Sequence, residues 1–380
     1  MKIQLVNTAK KLPQQEKVWR EFEKCPPAFF ALPLNPQDIL GVNLAKGNWK
    51  QILVLGIGGS SLPAQALVNA LQKKNSPEFF FLDNLDPTEI NSTLQKLKLS
   101  QTLVIVISKS GSTLETISQF LVIRKKLKRE QIVIITDPKK GFLRELAEKE
   151  KLASFDIPSE IGGRYSVFTP VGLLPAQLAG IDLPKLLKGV QSADPRKAFE
   201  FAKIQAAEYK RGKNIAVFCP YASSLEALTK WWEQLLAESI GKSSKVGITP
   251  EAAIGPAAQH SLLQLWAAGP NDKFFTFLKV HDFGTNLKVS NPPKEFASLK
   301  NKSIQDILNA EFTAATKALA EKKRALAILE LPRIDAESIG QLLQFWMCEV
   351  YFLGKLLGVN PLNQPGVERG KLLAKKNLDT

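Results

Sequence analysis

Thr102–Thr116 reads TLVIVISKSGSTLET, and this stretch decides the fold. From Leu103 to Ser108 the chain is almost continuously apolar and rich in Val and Ile, the pattern of a strand buried on both faces. The run stops in Ser108, Lys109, Ser110, Gly111, Ser112 and Thr113, with Thr116 one turn further on. Leu114, Ile117, Phe120, Leu121 and Ile123 then repeat at helical spacing. Hydroxyls, a lysine and a glycine between a strand and a helix N-terminus outline a phosphate cradle, because free backbone N–H groups and the helix dipole both favour an anion there. The competing account is an ordinary capping cluster. One cap uses a single hydroxyl, and the surplus here favours the anion site.

The same alternation extends in both directions. Strands are expected at Gln51–Leu55, Glu78–Leu82 and Gln131–Thr136, with helices over Leu62–Lys73 and from Asp86-Pro87. A less regular region, Leu152 to Thr169, contains EIGGRYSVFTP. The rhythm returns with a helix from Asp194-Pro195 and strands at Asn214–Cys219, Phe274–Val280 and Ala325–Leu331. Long helices are expected over Ser223–Ser239, Ile304–Arg324 and Asp335–Leu357. The fold class is therefore α/β, with two successive parallel sheets flanked by helices, over about 50–190 and 195–360. Ligands of open parallel sheets sit beyond the carboxyl ends of the strands, so a site is expected between the two units. Residues 1–45, interrupted by Pro13, Pro26, Pro27, Pro33 and Pro36, read as helix and loop.

The totals fit a chain of this kind. Of 380 residues, 44% are hydrophobic and 23% charged, as in ordinary globular proteins, and the length suits two cores. The three cysteines, Cys25, Cys219 and Cys348, lie too far apart for a metal knuckle or a disulfide framework. No apolar leader opens the chain, and polar residues interrupt the apolar stretch 339–359, so neither a signal peptide nor a membrane span is expected. A cytoplasmic location follows. The net charge of +15 raises nucleic-acid binding, but the densest basic group, Arg124 to Arg129, falls at a helix C-terminus, where the dipole favours cations. No aromatic-basic interleaving accompanies it. The excess reads as solvated surface, without nucleic acid as a partner.

Other stretches offer reactive groups. Gly56 to Ser61, GIGGSS, joins a strand to a helix but lacks the third glycine of a dinucleotide fingerprint, so a tight turn and a ligand loop are equally open. Gln234 and Glu238, in WWEQLLAESIGK, share a helix face; the glutamate is either a general base or simply exposed. His260, in GPAAQHSLLQLW, is one of only two histidines and could shuttle protons or be structural; His281 is the weaker candidate. Arg164 in GGRYS could hold a developing oxyanion. Gln364 and Lys371, in NQPGVERGK, bracket a Pro-Gly turn and the last helix.

Taken together, GIGGSSL, SKSGSTLET, GGRYSVFTPVGLLP, QLLAESIGK, GPAAQHSLLQL and QPGVERGK resemble the phosphoglucose isomerase family, in that family's order, over about Leu53 to Ala374. The resemblance implies two sugar-isomerase (SIS) domains, 46–192 and 193–360, after an N-terminal segment 1–45 and before a C-terminal loop and helix, 361–380. It implies a hexose 6-phosphate substrate, a homodimer with sites between subunits, and neither metal nor cofactor. Ser108, Lys109, Ser110, Thr113 and Thr116 would hold the phosphate; Gly59 and Ser60 would meet the sugar; Gln234 and Gln364 would position it. Glu238 would move a proton between C2 and C1, Arg164 would stabilise the enediolate, and His260 with Lys371 would open the ring. A bifunctional glucose/mannose 6-phosphate isomerase and a non-catalytic sugar-phosphate sensor are the alternatives, although a sensor would not need Glu238, Arg164, His260 and Lys371 together. The chain departs from the family at Ile240, where many members carry Asn, and at Leu362-Asn363, where an aromatic-Asp pair is usual.

Overall fold

The computed structural model describes residues 1–10, 12, 15–32 and 49–378. Two five-stranded sheets form its frame. In the first, β2 (Gln51–Leu55), β3 (Glu78–Leu82), β4 (Thr102–Ser108), β5 (Ile132–Thr136) and β6 (Ala153–Asp156) are all parallel, in the order β3-β2-β4-β5-β6. The second is built from β1 (Lys2–Val6), β7 (Ile215–Pro220), β8 (Thr249–Ala252), β9 (Lys273–Asp282) and β10 (Ala325–Arg333), in the order β1-β10-β9-β7-β8. Every residue of β2, β4 and β5 is buried, as expected of strands covered by helices on both faces. Asp86 and Asp194 each cap their helix by accepting two backbone N–H bonds, with proline at the first helical position.

Three strands depart from the sequence reading. Residues 2–6, read as helix or loop, form an edge strand antiparallel to β10, so the chain's first residues complete the second sheet. β6 falls in the stretch read as irregular, and β8 in one for which no element is expected above. Pro26 and Pro27 separate the helices Glu16–Lys24 and Ala28–Ala31, whereas Pro13, Pro33 and Pro36 lie outside the described residues. Among the described residues no helix is long and apolar enough to cross a membrane.

One apolar core runs through both sheets, from Ile52 and Ile105 through Trp231 to Trp346 and Phe352. The helix Leu62–Leu71, which follows β2, packs on the helix Glu226–Ile240, which follows β7. That contact brings the carboxyl edge of the first sheet to the helix bearing Gln234 and Glu238. In the first sheet the strand order reverses between β2 and β4, and such a reversal opens a crevice beyond the strand ends. GIGGSS and SKSGST are the two loops at that reversal.

The helix Ala336–Leu356 is buried along most of its length and carries Glu349 at 0% exposure. Neither carboxylate oxygen has a hydrogen-bond partner among the described residues, and burial holds this acid well above the usual carboxylate range. The unfolded chain therefore gives up this proton at lower pH than the native protein does. Stability should fall as pH rises above the ordinary carboxylate pKa, by about 1.4 kcal/mol per pH unit until Glu349 ionises. Glu349→Gln removes that slope. Its melting temperature should exceed the parent's by several degrees at about pH 8 and by much less at about pH 5. A difference independent of pH in thermal melts would contradict this account.

Candidate active site

The loop Gly56–Ser61 and the turn Gly163–Phe168 touch backbone to backbone. A Cβ on Gly59 would lie 2.3 Å from the Gly163 carbonyl carbon and 2.7 Å from the Arg164 nitrogen, so only glycine permits the contact. Ser166 reinforces it by donating to the Gly59 carbonyl at 3.2 Å. The other side of the loop reaches Gln234, whose amide nitrogen would sit 2.9 Å from a Cβ on Gly58. Ser60 is half-buried in the short helical turn Gly58–Ser60.

Arg164 is the hub. Only 1% exposed, it donates from Nε to Ser239 at 2.8 Å and from Nη1 to the Glu238 carboxylate at 3.1 Å. Nη1 also reaches the Gln364 side-chain oxygen at 2.8 Å. Nη2 donates to the carbonyls of Pro361 and Asn363, at 2.6 and 2.9 Å. The guanidinium thus joins the helix Glu226–Ile240 to the segment 361–364, and a fixed fork of donors suits that task better than a lysine would. Tyr165 lies beside it with its hydroxyl 3.1 Å from Ser239, and burial pushes that phenol up to about 12.

Glu238 projects from the last turn of its helix with 28% of its side chain exposed, unlike Arg164. One carboxylate oxygen accepts from Gln234 at 2.9 Å and the other from Arg164. This is a carboxylate fixed in direction yet open to a ligand. Lys242 closes the arrangement by donating to the backbone carbonyls of Glu238 and Asn363. Burial, with Arg164 nearby, pushes its ammonium down to about 8.

At the end of β4, Ser108 and Thr113 join hydroxyls at 2.8 Å, and Ser110 lies 3.3 Å from Thr113 and 3.4 Å from Ser108. Thr113 occupies the N-cap position of the helix Leu114–Arg124, yet its side chain makes no capping bond. The capping account therefore fails for this hydroxyl. Gly111 and Gly141, both at positive φ, pack against each other and seat the loop. Thr116 is fully buried, and its hydroxyl has no partner among the described residues.

Three expected residues are placed differently. The Lys109 ammonium donates to the carbonyls of Ser159 and Ile161, at 2.7 and 2.8 Å, so it braces the neighbouring loop. His260 ends the turn Ala257–His260 on an exposed surface, and Lys371 is exposed and paired with Glu368 at 2.9 Å. No described contact joins either to the Arg164–Glu238 cluster. His281 pairs with Glu330 at 2.8 Å on the surface. Ser239, Tyr165 and the roles of Lys242 were missed from sequence, although Ser239 and Lys242 flank Glu238 in ESIGK and Tyr165 follows Arg164 in GGRYS.

The family described as phosphoglucose isomerase matches residues 41–380. The chain belongs to the phosphoglucose isomerase family. It is 35% identical to a glucose-6-phosphate isomerase of Carboxydothermus hydrogenoformans, covering 92% of this chain and 84% of the relative. A glucose-6-phosphate isomerase of Rubrobacter xylanophilus is 36% identical over 91% of this chain and 88% of its own length. Among solved structures, a hypothetical protein from Thermus thermophilus superposes with a TM-score of 0.85 at 33% identity, covering all of both chains. A glucose-6-phosphate isomerase from Chlamydia trachomatis, at 22% identity, shares the fold with a TM-score of 0.78 over 98% of this chain and 76% of that one. Within the phosphoglucose isomerase family, the departures at 240 and 363 have simple accounts. Ile240 is fully buried, and Asn363 contributes its backbone carbonyl to the cluster, whichever side chain stands there.

Proposed function

We propose that this member of the phosphoglucose isomerase family interconverts glucose 6-phosphate and fructose 6-phosphate. The observation that carries the reading is the Glu238 carboxylate, aimed by Gln234 and Arg164 and still open to a ligand. In the open-chain aldose, Glu238 takes the proton from C2, and the electron pair passes through the new C1–C2 double bond onto O1. Arg164 stabilises that oxyanion, a proton passes from O2 to O1, and Glu238 returns its own proton to C1, leaving the ketose. No redox partner enters, since the aldose and the ketose are isomers.

Ser108, Ser110 and Thr113 hold the phosphate in this reading, and the unpartnered Thr116 hydroxyl lies one turn beneath them. Lys109 acts by bracing the cradle. Gly59 and Ser60 face the sugar, and Gln364 joins Gln234 in positioning it. His260 and Lys371 open the ring; the exposed position of His260 supports its action at the site of a second protomer in a homodimer. Phosphate capture belongs to residues 46–192, the base to 193–360, and the closing segment to 361–380. A cytoplasmic location belongs to the same reading, supported by three free cysteines.

The purified protein should convert fructose 6-phosphate to glucose 6-phosphate, followed by a coupled dehydrogenase, and should leave mannose 6-phosphate unchanged. A folded protein without turnover would overturn the proposal, and turnover of both sugars would make it bifunctional. Thr113→Val tests the cradle cleanly, because no helix cap is lost. KM should rise at least about tenfold, the equivalent of one charge-assisted hydrogen bond, with little change in kcat. An unchanged KM would remove Thr113 from the phosphate site.

A further inference from the structure

Between the helix Ala336–Leu356 and the helix Glu368–Leu378, the segment 361–364 is held by two cations. Arg164 takes the carbonyls of Pro361 and Asn363 and the side chain of Gln364. Lys242 takes the same Asn363 carbonyl, so one guanidinium N–H and one ammonium N–H converge on the oxygen's two lone pairs. The second bond from Lys242 goes to the Glu238 carbonyl, in the last turn of the helix that presents the catalytic carboxylate. Beyond the segment, the final helix is exposed almost throughout and adds little to hold it. Asn363 enters only through its backbone, so the attachment does not depend on the residue type there.

We infer that Lys242 is a positioning residue, which fixes the segment 361–364 against the end of the Glu238 helix so that Gln364 stays on Arg164 and Arg164 stays on Glu238. The helix end and the segment lie about 120 residues apart in the chain, and Lys242 ties them together through two carbonyls. A side chain with no N–H group would leave both carbonyls without that donor. Gln364 could then drift from Arg164, and a misplacement of about 1 Å at a reacting centre costs on the order of 10²-fold in rate. The charged groups facing Lys242 are Arg164, from the turn Gly163–Phe168, and Glu238, from its own helix; the segment 361–364 offers it only a carbonyl. The kinetic consequence rests on the isomerase reading, whereas the mechanical one does not.

Lys242→Met, which keeps the apolar stem, and Lys242→Arg, which keeps the charge, test the inference together. Lys242→Met should lose on the order of 10² in kcat/KM with fructose 6-phosphate, chiefly in kcat. Limited proteolysis within residues 361–378 should be faster in this variant at an unchanged melting temperature. Lys242→Arg should restore most of the activity. A Lys242→Met protein with the parent's kcat/KM and cleavage rate would overturn the inference. The cleavage arm needs no turnover, so an inactive parent would remove the isomerase reading while faster cleavage of Lys242→Met still upheld the attachment.

Discussion

Glu238→Gln should lower kcat for fructose 6-phosphate by about 10³-fold or more, while KM stays within a few-fold. Glutamine matches the carboxylate in shape but cannot accept the C2 proton. It should also be accommodated. Its amide oxygen can keep the bond from Arg164, and its new N–H₂ group would face Gln234, whose own side-chain oxygen is buried without a partner among the described residues and can turn to accept it. The measurement is a steady-state assay beside a thermal melt, with solvent-deuterium incorporation into the sugar as a second readout. In the parent, the proton held on Glu238 can exchange with solvent before it is returned, so deuterium should enter at C1 or C2; in the variant this should vanish with turnover. A folded variant with near-parental kcat would transfer the base role to another group.

Arg164→Lys is the second large effect. Lysine retains the charge but cannot reproduce a fork that reaches Ser239, Glu238, Gln364, Pro361 and Asn363 at once. The loss should appear in kcat, on the order of 10² to 10³, the usual effect of removing an oxyanion donor. Stability should suffer as well, by about 1–3 kcal/mol, since the buried Pro361 carbonyl would lose its guanidinium donor. The two effects separate by measurement. A variant that melts earlier but turns over within tenfold of the parent would leave Arg164 a purely structural hub.

Strands such as β4 and β5 were legible because burial on both faces demands unbroken apolar runs, and few other elements of that length look the same. β1 was not. KIQLV is a half-exposed edge strand whose partner, β10, lies over 300 residues along the chain, so nothing local announces the pairing. β8, with Pro250 inside it, resembles a loop for the same local reasons. At the site, the clustering of the Ser108, Ser110 and Thr113 hydroxyls at a strand end was legible from their spacing. The direction of Lys109 could not be read, because a lysine in such a loop can point to a phosphate or to a neighbouring carbonyl with equal local sense. Arg164 and Glu238 could each be named, but 74 positions separate them, and only the fold makes them one ion pair.

That Arg164 reaches 200 positions forward to Gln364 has a consequence for the life of the polypeptide. During synthesis both sheets can be complete while the last acceptors of the guanidinium are still inside the ribosome. The nascent chain should therefore be folded in bulk yet silent until the segment 361–364 has emerged. Conversely, a protease that trims the tail should switch off an otherwise intact molecule.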